Sequence, residues 1–263
     1  MTSRELLVLG SGTAVPSPTR GPSGYYVTGT DGGFLLDCGP GTLRALARSG
    51  FALDTVRRVF LTHFHPDHTL DLMALVFGLT NPRFHGRYDR LEVWGPAGLE
   101  DFWSRASALY GRWLQPVTYE LVVREVEEEM RFGEVEATTV RVAHTENSIG
   151  YRFRFGDGYV FAYSGDTGPC PGAVELGADA DLYLLECAFP DGSERDGHLT
   201  PTSAGLIAAE AACRRLVLTH FYPECEETDV LGACRRVFDG DVSLAFDGAR
   251  MALSHAGDAE GRR

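Results

Sequence analysis

The stretch Thr62-His63-Phe64-His65-Pro66-Asp67-His68 follows the apolar run RVFL and offers three imidazoles and one carboxylate within six residues. The apolar run predicts a strand, and the residues after it predict a helix that begins near Asp67. Zinc prefers imidazole nitrogen and carboxylate oxygen, and catalytic zinc sites keep one position open for water. A solvated, histidine-rich turn is the alternative, but the H-x-H-x-D-H spacing after a hydrophobic strand favours a metal loop.

Polar residues also end several other predicted strands. Short apolar runs lead into His144, Asp166 and His220, each of which alone is a weak signal for a ligand. If neighbouring strands end at the same edge of a sheet, these side chains converge there. Together with the metal loop they make five histidines and two aspartates, a set that suits two zinc ions sharing a bridging carboxylate.

The pattern of apolar runs predicts the fold class. Runs of four to eight residues, bounded by Gly, Pro or Asp, recur from end to end and are typical of β-strands. Helical patterns are inserted singly among them instead of alternating strictly, which favours a layered α+β fold with mixed sheets over a doubly wound sheet. No linker or repeat interrupts the chain, so we predict a single domain over 1–254 and a frayed tail over 255–263.

Composition excludes several function classes. The chain has 263 residues, of which 44% are hydrophobic, so a disordered or collagen-like protein is ruled out. It carries 24 Lys and Arg against 37 Asp and Glu, a net charge of −13. This acidity argues against a protein that coats nucleic acid, because affinity for the phosphate backbone depends on clustered basic residues. A phosphate substrate held by metal ions remains compatible with it.

Cysteine usage and hydropathy predict a cytoplasmic protein. The six cysteines are widely spaced and form no C-x-x-C pair, which argues against a disulfide framework and a structural zinc knuckle. No apolar run is long enough for a membrane helix, and the first residues lack the pattern of a signal peptide.

The sequence resembles the metallo-β-lactamase superfamily, and within it the ribonuclease Z and phosphodiesterase branch. The resemblance covers nearly the whole chain. It is carried by the metal loop, by His144 and by the following segments: Gly10-Ser11-Gly12-Thr13, Asp37-Cys38-Gly39, Ser164-Gly165-Asp166-Thr167, Gly197-His198-Leu199-Thr200 and Thr219-His220. It implies a four-layer αβ/βα sandwich of two mixed β-sheets flanked by helices, with a binuclear metal site at one edge.

The resemblance also implies a ligand set. His63, His65 and His144 would hold the first zinc ion; Asp67, His68 and His220 would hold the second; Asp166 would bridge them. Relatives with a di-iron redox site typically have a carboxylate at position 65, so the histidine there favours zinc, although Mn²⁺ or another divalent metal is possible. Asp67 would also orient the attacking water. Asp37, in the D-x-G turn, would support the metal loop.

Two further catalytic residues are implied by the resemblance. Relatives carry a G-H-x-[ST] segment whose histidine, here His198, assists catalysis as the general acid. They also carry a glutamate at the end of the preceding strand, here Glu186, which orients that histidine. From the residues alone, a loop histidine before a helix that Thr200 caps is the favoured interpretation of His198. The alternative for Glu186 is a strand-end carboxylate facing water.

The spacing of the ligands bears on the substrate. In ribonuclease Z the arm that grips tRNA is inserted between the third histidine and the bridging aspartate, but here only 21 residues, 145–165, lie between them. We therefore expect a small phosphodiester, such as a cyclic nucleotide or short RNA. The alternatives are a tRNA 3′-processing endonuclease, a lactone, thioester or β-lactam hydrolase of the same fold, and a scaffold protein without activity.

The role of residues 81–90 and the oligomeric state each allow two interpretations. Residues 81–90, NPRFHGRYDR, mix arginines with aromatic residues and predict either a substrate flap or a solvated loop whose arginines pair with acids. Relatives often form homodimers, so a homodimer is possible here.

Overall fold

Short apolar runs form fourteen strands and six α-helices in the computed structural model, which describes residues 4–29, 32–126 and 129–255. The strands are β1 (Glu5–Gly10), β2 (Gly24–Val27), β3 (Gly33–Leu36), β4 (Val56–Phe60), β5 (Arg90–Gly95), β6 (Glu120–Glu125), β7 (Glu129–Phe132), β8 (Val135–Arg141), β9 (Ile149–Arg154), β10 (Val160–Tyr163), β11 (Leu182–Glu186), β12 (Arg215–Thr219), β13 (Asp241–Leu244) and β14 (Arg250–Ala252). The helices are α1 (Thr42–Arg48), α2 (Pro66–Gly78), α3 (Leu99–Tyr110), α4 (Pro171–Gly177), α5 (Pro201–Glu210) and α6 (Val230–Arg235).

The strands form two mixed sheets of seven strands each. The first has the order β14-β1-β2-β3-β4-β5-β6, and the second has the order β13-β12-β11-β10-β9-β8-β7. In the first sheet β3, β4, β5 and β6 run parallel, whereas β2 and β3 are antiparallel. In the second sheet β10, β11, β12 and β13 run parallel, and β7 to β10 pair antiparallel. Parallel strands place their carboxyl ends at one edge of each sheet, as the sequence predicted.

The chain divides into two compact units, each with its own hydrophobic core. The first unit comprises Leu7–Val126 and Phe246–Ala249, and the second comprises the described residues up to Leu6, from 129 to 245 and from Arg250 onward. The first core is built on β3, β4 and β5 with α1, α2 and α3, and the second on β10, β11 and β12 with α4, α5 and α6. The single domain over 1–254 stays a prediction.

The predicted elements agree with the structure in their positions more than in their ends. The sequence pattern predicts a helix over 67–79; the structure has α2 at Pro66–Gly78, and it begins with proline at its first position, where a missing N–H has no cost. The sequence pattern also predicts a helix over 226–238, but α6 is shorter, because Asp229 caps it at Val230–Arg235 and a 3₁₀ turn over Pro223–Glu227 precedes it. In the predicted frayed tail, 256–263 lie outside the described residues.

The six cysteines are all unbridged, as expected. Burial raises the pKa of the Cys38 and Cys187 thiols well above the usual range, so these side chains behave as small apolar groups. Among the described residues, the structure contains no helix that is long and apolar enough to cross a membrane.

Leu218→Ala tests whether the second core fixes the strand that leads to His220. Leu218 is fully buried in β12, so its truncation should lower the free energy of unfolding by about 2–5 kcal/mol. Leu206→Ala on α5 is the matched control: its side chain is 54% exposed, and the change should stay within about 0.5 kcal/mol. Equal losses for both variants in denaturant titrations would contradict this description of the core.

Candidate metal centre

The predicted metal loop connects β4 to α2 and brings its candidate ligands together. His63, Asp67 and His68 are buried, whereas His65, which precedes α2, is exposed. The ring centroids of His63 and His65 are 4.6 Å apart, and those of His63 and His68 are 4.2 Å apart. The carbonyl of His65 accepts a hydrogen bond from the backbone N–H of His68, which tightens the first turn of α2. We call His63, His65, Asp67 and His68 the amino-terminal ligand cluster.

The Asp37 carboxylate fixes the orientation of two histidines in this cluster. Asp37 is fully buried and follows β3, next to the parallel strand β4. Its Oδ2 accepts a hydrogen bond from Nδ1 of His68 at 2.7 Å, and its Oδ1 accepts one from the backbone N–H of Thr62 at 2.8 Å. The Thr62 hydroxyl also donates to Asp37, so its oxygen accepts from Nδ1 of His63 at 3.0 Å. In both imidazoles the lone pair is therefore on Nε2, the atom offered to a metal.

The D-C-G turn lies against the backbone of the metal loop. A Cβ atom on Gly39 would lie 2.0 Å from the backbone oxygen of Asp67, so only glycine fits there. The backbone N–H of Cys38 donates to the carbonyl of His68 at 2.7 Å. The turn thus packs against the backbone of Asp67 and His68, the two candidate ligands in the first turn of α2.

A second group of ligands lies in the second unit, at the carboxyl edge of its parallel strands. Oδ2 of Asp166 lies 3.2 Å from Nε2 of His220 and 3.6 Å from Nε2 of His144. Asp166, His198 and His220 also form a group whose possible ligand atoms lie within 4.8 Å of one another. We call His144, Asp166 and His220 the carboxy-terminal ligand cluster, because His198 has a different partner.

His144 and His220 are placed by unusual backbone. Nδ1 of His144 donates to the carbonyl oxygen of Gly197 at 2.9 Å, which again leaves the lone pair on Nε2. Gly197 has a φ of 77°, and a Cβ there would lie 3.0 Å from Nδ1 of His144. His220 itself has a φ of 62°, as Asp37 has a φ of 54°, a conformation that is uncommon outside glycine and concentrates at functional sites.

Glu186 is buried beside His198 and does not face water. Its Oε1 accepts from Nδ1 of His198 at 2.9 Å and from the N–H of Thr167 at 2.8 Å. Its Oε2 accepts from the N–H groups of Ala188 and Leu199 at 3.1 and 3.0 Å. Burial raises the pKa of Glu186, while the hydrogen bond with His198 opposes that rise. The structure excludes the solvated alternative and favours the orienting contact.

Both clusters fit a divalent metal ion by the chemistry of their donors. They offer imidazole nitrogen and carboxylate oxygen, the ligands that zinc prefers. His63, His68 and His144 each have Nδ1 held by a protein oxygen, the arrangement that metal-binding histidines usually need.

Residues 81–90 have the character of a packed loop. Phe84 and Tyr88 are buried in the first core, and the Tyr88 hydroxyl donates to the carbonyl of Val56. Arg90 pairs with Glu92 at 2.9 Å. The aromatic side chains are therefore not presented to a substrate, and the flap interpretation loses its support.

Two contributors to the centre were missed by the sequence analysis. Thr62 connects Asp37 to His63 through its hydroxyl, and Gly197 supplies the carbonyl that fixes His144. A weak signal existed for both, since Thr62 directly precedes the first ligand and Gly197 belongs to the G-H-L-T segment.

Comparison with known proteins agrees with this architecture. Residues 33–221 match the model of a Beta-lactamase superfamily domain. The ribonuclease Z of Thermobifida fusca is 30% identical over 317 aligned positions that cover 96% of each protein. The alignment is longer than this chain, so that relative carries residues with no counterpart here.

Two solved structures have a similar fold. The metallo-beta-lactamase fold protein YhfI from Bacillus subtilis gives a TM-score of 0.80 at 24% identity, covering 95% of this chain and 99% of its own. The short form of human tRNase Z gives a TM-score of 0.77 at 25% identity, covering 95% of this chain and 100% of its own. Together with the two mixed sheets, these likenesses confirm the predicted fold class.

Asp37→Asn tests the support of the amino-terminal ligand cluster. The amide keeps the volume but loses the charge that holds Nδ1 of His68, so zinc affinity should fall about 10- to 100-fold. Competition with a chelator measures the affinity, and circular dichroism checks the fold. The control Asp101→Asn removes an exposed carboxylate on α3 and should leave affinity unchanged. Wild-type affinity in the Asp37 variant would refute the assigned support.

Proposed function

The chain belongs to the beta-lactamase superfamily, and on this basis we propose that it is a metal-dependent hydrolase that cleaves phosphodiesters with two zinc ions. The observation that carries the proposal is the hydrogen bond between the buried Glu186 and the half-buried His198, beside Asp166. A proton donor next to a metal ligand is what cleavage of an unactivated phosphodiester requires, because the departing alkoxide must be protonated. The names of the similar proteins, ribonuclease Z and tRNase Z, support the same substrate class.

We assign the metal ligands as the family resemblance implies. His63, His65 and His144 would hold one ion, Asp67, His68 and His220 would hold the other, and Asp166 would be shared between them. Support comes from the hydrogen bonds that fix Nε2 as the ligand atom in His63, His68 and His144. Zinc is the proposed metal because imidazole-rich sites suit it better than they suit harder ions. Mn²⁺, which prefers more oxygen ligands, is the next candidate.

The chain's own residues orient water and move a proton. When bound, two divalent cations supply an activated water and neutralise the charge that develops at phosphorus. Asp67 orients the attacking water while it binds metal. Glu186 accepts from Nδ1 of His198, so the proton for the leaving oxygen is donated from Nε2. The buried carboxylate also stabilises the imidazolium form of His198.

The substrate is a small phosphodiester, such as a cyclic nucleotide or a short RNA. Residues 145–165 contain β9 and β10, which pair antiparallel through a short turn, and hold no inserted arm. The net charge of −13 disfavours a long nucleic acid. The tRNA 3′-processing activity that the family resemblance implies is the second candidate, because the similarity to a protein named ribonuclease Z extends over 96% of the chain.

A side-by-side assay of the zinc-loaded protein tests the function. The substrates are cyclic AMP, a short RNA, a precursor tRNA and a lactone, each compared by kcat/KM. We expect the highest value for one of the two small phosphodiesters. Preference for precursor tRNA would establish the second candidate, and turnover of the lactone alone would overturn phosphodiester chemistry.

His198→Ala should separate proton donation from metal binding. The variant should keep its metal content and cleave an unactivated phosphodiester about 10²- to 10⁴-fold more slowly. The variant's cleavage of a nitrophenyl ester should be slowed much less, because the nitrophenolate leaving group needs no proton. His85→Ala is the matched control, since His85 is exposed and its Nε2 hydrogen-bonds to the carbonyl of Thr80 at the protein surface. Wild-type rates on the unactivated substrate would remove His198 from the mechanism.

A further inference from the structure

Two aromatic side chains follow the parallel strands that carry Glu186 and His220. Glu186 pairs with Thr219 across β11 and β12, and Phe189 and Tyr222 each come three residues later. Their rings are stacked, with centroids 4.5 Å apart and planes inclined by 16°. Neither ring is fully buried, so the pair lies at the surface of the second unit.

The backbone holds this aromatic pair in a fixed position. The N–H of Phe189 donates to the carbonyl of Leu199 at 3.2 Å, and the N–H of Tyr222 donates to the carbonyl of Ala188 at 3.1 Å. Rings anchored in this way lose little conformational entropy when a ligand stacks on them. A surface aromatic residue that binds no ligand does not need its backbone to be held by hydrogen bonds in this way.

The pair lies directly beside the proposed proton donor. The ring centroid of His198 lies 5.6 Å from that of Phe189 and 6.2 Å from that of Tyr222, and both pairs are T-shaped, with planes inclined by 73° and 79°. A leaving group must contact His198 to receive its proton, so it also lies near these two rings. The aromatic pair is therefore placed to contact the leaving group rather than the attacking water.

A cavity of about 380 Å³ lies beside His198, and Arg195 contacts both this cavity and the aromatic pair. Arg195 lines the cavity together with His198, and its guanidinium lies over the ring of Phe189 at 5.6 Å. The volume is within the range of small-molecule sites. Glu194 and Asp196 line the same cavity, so its charge disfavours a leaving group that carries further phosphates.

We propose that Phe189 and Tyr222, with Arg195, form a stacking surface for the nucleobase of the nucleoside whose leaving oxygen contacts His198. This assignment rests on the proposed phosphodiesterase function and makes it more specific. Stacking on an aromatic side chain favours any base over a sugar alone, because every base has a π face. The surface selects nucleotide substrates without selecting one base.

Binding of adenosine 5′-monophosphate and ribose 5-phosphate to the zinc-loaded protein tests the proposal, because these probes differ only in the base. Calorimetry should show 5′-AMP binding about 5- to 100-fold more tightly. Tyr222→Leu and Phe189→Leu should each remove most of this preference and leave the affinity for ribose 5-phosphate within about twofold. Tyr222→Phe keeps the ring and should retain the preference. Tyr110→Leu, at an exposed tyrosine on α3, is the matched control.

Equal affinities of the wild type for the two probes, or equal weakening of both in the leucine variants, would overturn the stacking surface. Metal content and turnover of a nitrophenyl phosphodiester are measured on the same samples. If both are intact and no base preference exists, the stacking surface alone is wrong. If metal or turnover is absent in the wild type, the proposed function itself fails.

Discussion

The hydrogen bond between the Asp37 carboxylate and Nδ1 of His68 is the contact on which the metal loop depends. It is 2.7 Å long and fully buried, and the same carboxylate holds Thr62, which in turn holds His63. A buried carboxylate is stable only when its oxygens are hydrogen-bonded, and the loop supplies those donors. The loop and the D-x-G turn therefore stabilise each other. This mutual requirement explains why the backbone tolerates a left-handed conformation at Asp37.

Glu186 follows the same physical principle in the second unit, with a different result. It also uses a buried carboxylate to hold Nδ1 of an imidazole, but its partner His198 is assigned to proton transfer instead of metal binding. Three backbone N–H groups also donate hydrogen bonds to the Glu186 carboxylate, so it is fixed from several directions. A rigid acceptor of this kind keeps the imidazole in one tautomer and one orientation. Each unit thus presents imidazoles that are oriented before any ligand binds.

Much of the fold and the ligand chemistry could be predicted from the sequence, because both leave local patterns. Apolar runs ending in His63 and His220 indicated where strands end, and the H-x-H-x-D-H spacing indicated a metal-binding loop. Contacts between distant segments left at most a weak pattern. The carbonyl of Gly197 beside His144 and the stacked ring of Tyr222 depend on tertiary packing. The homodimer and the cytoplasmic location stay predictions.

The metal stoichiometry of the chain tests the central claim most directly. The protein is purified without chelators, equilibrated with zinc, freed of excess metal and measured by plasma mass spectrometry against its amino-acid content. Two clusters of oriented imidazoles and carboxylates predict about two zinc ions per chain. Asp166→Ala, which removes the proposed bridge, should lower that number while His85→Ala should not. Fewer than one metal ion per wild-type chain would contradict the account.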